Sequence, residues 1–235
     1  MPTMFSDNTS AYENSLHSVT KSCSIVAIFD FDGTLTYQDS FLPFLKWTYG
    51  KLYWLKLLPH ILFLVGYLLG FVSNHQIKEI LLFDFFKEWS KTTLELTAAQ
   101  YANQVIPKLL NPAAIERLQW HQAQGHQVLL VSANLEIYLE PWAKAMGIDQ
   151  VLATQLDFED DKFRGKIKGK CCIGDEKVTR LKEFLGSFNN YCLHIYGDSE
   201  GDKEMLAISD FTYYRTFTAS NCSHLSLNSR SSDEG

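Results

Sequence analysis

A short apolar run, Ser24-Ile25-Val26-Ala27-Ile28-Phe29, stops abruptly at Asp30-Phe31-Asp32-Gly33-Thr34-Leu35-Thr36. Unbroken apolar character, rather than alternation, suits a strand buried on both faces, as in a parallel sheet. Two carboxylates two residues apart follow at once, and Gly33 permits a sharp turn behind them. Like charges held so close repel unless a cation or a shared proton relieves them. Magnesium relieves them well, because it takes a few carboxylates together with waters and substrate phosphate oxygens. The junction predicts an acidic site at the C-terminal end of a buried strand.

Further buried-strand candidates are 128–133 (VLLVSA), 151–156 (VLATQL), 192–198 (CLHIYGD) and 210–216 (DFTYYRT). Helical patterns at 135–146, 176–186 and 200–208 alternate with them, which implies a parallel sheet covered on both faces. One hairpin interrupts the alternation, with LDFED and KFRGKI flanking Asp160-Asp161-Lys162. Asp30, Ser132 and Asp198 then each fall at the C-terminal end of a strand, the edge where open α/β sheets bind ligands.

Residues 38–123 break this rhythm. Helical stretches are expected near 40–49, 51–72, 75–90 and 94–106, with no convincing strand. The predicted fold is an α/β class, a Rossmann-like parallel sheet core with a helical cap inserted after the first strand. Its parts are a core from 24–37 and 124–218, a cap from 38–123, and polar tails at 1–23 and 219–235. Within the cap, residues 57–72 (LLPHILFLVGYLLGFV) carry no formal charge apart from a protonatable His60. An element apolar nearly all round must be covered by protein or by lipid. Two readings stand: a buried cap helix or hairpin kinked at Pro59, or a membrane contact through residues 52–72.

Twenty-one basic against 27 acidic residues give a net charge of −6, which argues against a nucleic-acid binder working through a basic surface. The five cysteines form no CxxC pair and read as reduced thiols of a cytoplasmic chain. The histidines show no metal-ligand spacing, and there is no Gly-rich Walker loop.

The DFDGTLT motif resembles the first motif of the haloacid dehalogenase superfamily, and the other motifs occur in the required order. Ser132, ending VLLVSA, looks like the second motif's hydroxyl residue. Lys177, in GDEKVTRL, looks like the third motif's lysine, and YGDSEGDKEML supplies a fourth-motif acidic pair, Asp198 and Asp202. The chain is most similar to the subfamily of phosphoserine phosphatase-like hydrolases with a helical cap. It departs from their pattern at Gly201, where they usually carry Asn, and at Ser132-Ala133-Asn134, which replaces a Ser-Gly-Gly type turn.

The resemblance implies a magnesium-dependent phosphatase acting on a small phosphate monoester through an aspartyl-phosphate. Asp30 would be the nucleophile and Asp32 the general acid and base. Mg2+ would be held by the Asp30 carboxylate, the Asp32 carbonyl and Asp198, with Asp202 in support. Ser132 and Lys177 would bind the phosphoryl oxygens. Gly33, Ala133, Asn134 and the cap residue Asp39 complete the expected substrate contacts. The apolar stretch after DSFLPFLKW also resembles bacterial phosphatidylglycerophosphate phosphatases of the same subfamily. That likeness implies, as an alternative, a lipid substrate and a peripheral place at the inner face of a membrane; phosphoryl transfer to another acceptor is a further alternative on the same fold.

Overall fold

Strand β1, Ser24–Phe29, is an interior strand, and Val26 through Phe29 are fully buried. Its alternate side chains enter two separate apolar clusters, Val26 and Ile28 in one and Ala27 and Phe29 in the other. Both faces are covered, so the run needs no polar alternation. The same division holds in β2, Gln127–Leu135, where Leu129 and Val131 face one cluster and Val128 and Leu130 the other. Residues 23–217 are described in this computed structural model, so the segments read as tails lie outside the described residues apart from Cys23.

The elements follow in chain order. After β1 come α1 (Phe41–Tyr49), α2 (Leu52–Leu57), α3 (Ile61–Leu68), α4 (Asn74–Phe86), α5 (Lys91–Gln104) and α6 (Pro112–Ala123). Then come β2, α7 (Glu136–Ala145), β3 (Gln150–Thr154), β4 (Leu156–Glu159), β5 (Lys162–Ile167) and α8 (Asp175–Leu185). The chain closes with β6 (Tyr191–Gly197), α9 (Lys203–Ala207) and β7 (Phe211–Tyr214). Five strands form one parallel sheet in the order β3-β2-β1-β6-β7. Helices α8 and α9 cover one face through Leu181, Leu185 and Met205, while α6 and α7 cover the other. The order reverses beside β1, since the chain builds outward to β3 and then returns to β6. Asp30 and Asp198 emerge side by side at that reversal, the usual place for a crevice in such sheets.

The insertion leaves and returns along paired backbone. Tyr37 N–H donates to Leu109 O and Asn111 N–H to Leu35 O, with Thr36 and Leu110 bridged between them. Helix α6 falls inside the interval read as cap, yet Ala114 and Leu118 pack in the same cluster as Phe29 and Val128 of the sheet. Its missing period in the strand–helix alternation had hidden it, because the crossover helix of β1–β2 comes only after the whole insertion. The hairpin β4–β5 departs in the opposite sense. Phe163 exchanges backbone hydrogen bonds with Glu88 and Trp89, and Ile167 N–H donates to Glu79, so the hairpin extends the helical lobe.

The apolar stretch is not one helix and is not buried. It breaks at Pro59 into α2, a single tighter turn and α3. Twelve large apolar side chains between Leu52 and Phe71 are exposed, with Leu62, Leu68 and Phe71 at 82, 80 and 84%. The buried-helix expectation fails because only Tyr53 and Leu57 of this stretch are buried in the core, with Leu64 and Val72 packed half-buried against it. No helix among the described residues is long and apolar enough to cross a membrane.

Candidate active site

Asp30 lies one residue beyond β1, its N–H held by Tyr196 O of β6 at 3.0 Å. Its carboxylate is nearly buried, at 6% exposure, and Lys177 Nζ sits 2.5 Å from Oδ1. Lys177 itself is 2% exposed and spends its other donors on Asp202 Oδ1 at 2.6 Å and Val131 O at 3.2 Å. Burial would discharge such a lysine, but two carboxylates raise its affinity for the proton and keep it charged. The second oxygen of Asp202 accepts from Asp198 N–H, Ser199 N–H and Ser199 Oγ. Against the burial that would lift it, Lys177 and Ser199 hold the Asp202 carboxyl below the usual range.

Asp198 is less committed. Its carboxylate receives one long bond, from Thr34 Oγ1 at 3.5 Å, while Arg215 Nε holds its backbone carbonyl. Burial and the Asp202 charge push its carboxyl up. Ligand oxygens of Asp30, Asp198 and Asp202 all lie within 4.8 Å of one another. Asp30 and Asp202 share one ammonium and Asp198 lies beside them without one, which leaves surplus negative charge in a closed space. The hard oxygen set and that surplus fit a divalent cation, with the uncommitted oxygens of Asp30 and Asp198 as its ligands and Asp202 as their support. Gly33 makes this approach sterically feasible: at φ 79° its Cα faces Asp198, and an added Cβ would fall 2.6 Å from Asp198 Cγ.

Asp32 points the other way, toward the insertion. Its Oδ1 accepts from Ser40 N–H at 2.9 Å, and Asn134 Nδ2 donates to its Oδ2. Burial, with Asp39 adding to it, pushes the Asp32 carboxyl up to about 8, so at neutral pH it can hold a proton and give it away. Asp30, also lifted by burial, reaches about 7 before any ion joins the cluster. Ser40 anchors the Asp32 wall: its Oγ meets Tyr138 OH and Asn134 Nδ2, and its carbonyl accepts from Tyr101 OH.

The structure brings Asp30, Asp198, Asp202 and Lys177 into direct contact or near contact, with Asp32 beside them. Ser132 is 1% exposed at the end of the buried part of β2, and its Oγ accepts from Asn134 N–H. Asn134 reaches Asp32, and its own Oδ1 is buried without a partner. Ala133 contributes its carbonyl, which accepts from Thr154 Oγ1 and Lys78 Nζ. Asp39 is exposed and its Oδ1 accepts from Phe41 and Leu42 N–H, capping α1.

Sequence reasoning missed Ser40, Thr34 and Lys78. A signal existed for Lys78: it interrupts the apolar stripe of α4 three, four and seven residues before Leu81, Leu82 and Phe85.

A parallel sheet that places an acidic, lysine-neutralised cluster at its topological reversal defines an α/β protein with an enzyme-like crevice at the C-terminal edge of its strands. The family model of haloacid dehalogenase-like hydrolases matches residues 27–207, and the chain belongs to that family. It is similar to the protein CicA of Caulobacter vibrioides, 35% identical over 194 residues that span 82% of this chain and 86% of that one. It is also similar to a probable phosphatase of Mycobacterium tuberculosis, 26% identical over 77% of this chain and 64% of that one. Among solved structures, a phospho-aspartyl intermediate analogue of phosphoserine phosphatase shares the fold with a TM-score of 0.56. That pair is 17% identical, over 81% of this chain and 86% of the other. The protein is a phosphatase-type hydrolase of this family.

Proposed function

We propose that the protein is a magnesium-dependent phosphomonoesterase that cleaves small phosphorylated metabolites through an aspartyl-phosphate on Asp30. The observation that carries this reading is the convergence of Asp30, Asp198 and Asp202, the first and last of them paired with Lys177. One oxygen of the Asp30 carboxylate attacks phosphorus, and the bond from phosphorus to the ester oxygen breaks. Asp32 gives its proton to that oxygen as the alcohol leaves. Asp32 then takes a proton from water, whose oxygen attacks the acyl-phosphate, releasing phosphate and restoring Asp30. Lys177 holds Asp30 in position and offsets charge on the transferring group, with the Ser132 hydroxyl available as a donor. Asp30 and Asp198 would hold the magnesium ion, which when bound would supply further charge neutralisation at the phosphoryl oxygens.

The test is phosphate release from phenyl phosphate by the full chain. Stripping divalent ions with a chelator lowers kcat/KM by about hundredfold or more, since the ion supplies several kcal/mol of charge stabilisation. Returning magnesium restores it. Turnover indifferent to chelation would contradict the reading.

The exposed face of α2 and α3 favours a second reading, in which the helical lobe lies on an anionic membrane surface and the substrate is a lipid phosphate monoester. No acidic residue occurs from Ser40 to Lys78, while Lys46, Lys51 and Lys56 do. This apolar, cationic face on an otherwise acidic chain complements anionic headgroups, and it matches a helix lying in the interface. The protein then sediments with phosphatidylglycerol vesicles, and Leu62→Asp with Leu68→Asp releases it. A wild-type protein that stays in the supernatant would refute this reading.

A further inference from the structure

Among the described residues two buried side-chain polar atoms have no hydrogen-bond partner, His60 Nδ1 on the helical lobe and Asn134 Oδ1 at the site. Asn134 is 1% exposed. Both N–H bonds of its amide are spent, one on Asp32 Oδ2 and one on Ser40 Oγ. A carboxylate on one side calls for the donor end of the amide there, so the oxygen is the end left over. The neighbouring donors are spent as well. Ser40 N–H goes to Asp32 Oδ1, Tyr101 OH goes to Ser40 O, and the Ser40 and Tyr138 hydroxyls meet each other. A buried acceptor left unmet is costly, and a native site that keeps one calls for a donor from outside the chain.

The position of that oxygen says which part of a substrate would supply the donor. Oδ1 is bonded to the same carbon as the nitrogen that touches Asp32, so it lies beside the Asp32 carboxyl. In the reaction proposed above Asp32 hands its proton to the ester oxygen, whereas the phosphoryl group belongs with Asp30 and Lys177. Asn134 therefore stands next to the leaving alcohol and not next to phosphorus. Its backbone is tied down too, since its N–H donates to Ser132 Oγ at 3.1 Å. Because Asp32 and Asn134 touch, the two substrate oxygens they meet must be near neighbours, as on adjacent carbons. The amide oxygen is neutral and suits a single O–H. An ammonium would bring three donors and a charge, and a plain alkyl group would bring no donor.

We propose that Asn134 selects esters whose leaving alcohol carries a hydroxyl on the carbon next to the ester-bearing carbon, so that the substrate class is the monophosphate of a vicinal diol. The inference rests on the phosphatase reading. The hydroxyl donates to Asn134 Oδ1 while the ester oxygen meets Asp32. An alcohol without it seals the amide oxygen in unsatisfied, which is how a site built to hydrogen-bond a substrate group rejects the analogue that lacks it.

Three esters decide it: ethyl phosphate, 2-hydroxyethyl phosphate and 2-methoxyethyl phosphate, each given to the full chain with magnesium. The methoxy ester has a leaving group similar in acidity to that of the hydroxy ester, but no O–H to donate. In the wild type the hydroxy ester exceeds both others in kcat/KM by about tenfold or more, as expected when a buried acceptor is otherwise left unpaired. In Asn134→Leu all three esters slow, because Asp32 loses its N–H partner, and the advantage of the hydroxy ester falls to about one. A wild-type ratio near one, a methoxy ester as good as the hydroxy ester, or an advantage that Asn134→Leu leaves intact overturns the proposal. So does a wild-type preference for 2-aminoethyl phosphate over the hydroxy ester. The wild-type ratios decide even where the leucine variant folds poorly. Chelator-sensitive hydrolysis of all three esters alike would sink this inference and leave the phosphatase reading standing.

Discussion

Asp30→Asn lowers turnover of phenyl phosphate by about a thousandfold or more, because an amide has no anionic oxygen to attack phosphorus. The substitution keeps size and planarity. Its carbonyl oxygen can still accept from Lys177, and Lys177 retains Asp202 and Val131 O. Removing one of three crowded carboxylates also relieves their repulsion. Thermal unfolding should accordingly change by only a few degrees, so that a dead enzyme with a normal melt separates chemistry from folding. Steady-state phosphate release and a calorimetric scan read both quantities on one preparation. Near wild-type rates under magnesium would remove Asp30 from the reaction.

Lys177→Met has the opposite signature: the fold suffers with the activity. Two buried carboxylates, Asp30 and Asp202, lose their shared counter-ion at once. Breaking a buried pair from one side costs about 3–5 kcal/mol, because the stranded charge stays in a poorly solvated place. For a chain of this size that lowers Tm by about 6–20 °C. The sign of the pH dependence follows. Without Lys177, both carboxyls take up protons more readily folded than unfolded, so the variant's deficit is largest above the unfolded carboxylate pKa. The deficit shrinks as the solution is acidified toward about pH 4, where protonation removes the stranded charge. Scans of both proteins across that range measure it. A Lys177→Met protein as stable as wild type at pH 7 would mean that the two carboxylates are hydrated rather than sealed.

The sheet was legible because its signals are local. Buried strands such as Ser24–Phe29 declare themselves by unbroken apolar runs, and the site residues follow them directly in sequence. Lys177 is harder: nothing in its neighbourhood marks it as buried, and only the resemblance to a family singled it out. Lys78 carried a local signal, a cation on an apolar stripe, whose meaning depends on a neighbour 55 residues away at Ala133. Asp39 shows two local codes in competition, since an acid beside the cap also stands where a helix N-terminus needs an acceptor. The stretch 57–72 was legible in its break at Pro59 and not in its exposure, because a segment apolar all round gives no hint of which face lacks a cover.

Covalent capture on the first carboxylate of the DFDGTLT turn is the most direct measurement. Enzyme mixed with excess phosphate ester and magnesium, then quenched in acid, is digested and weighed by mass spectrometry. A phosphoryl group, labile to hydroxylamine, is predicted on the peptide containing Asp30 and is absent from Asp30→Asn. A phosphoryl group on another residue, or hydrolysis with no trapped phosphoenzyme at any quench time, would contradict the account.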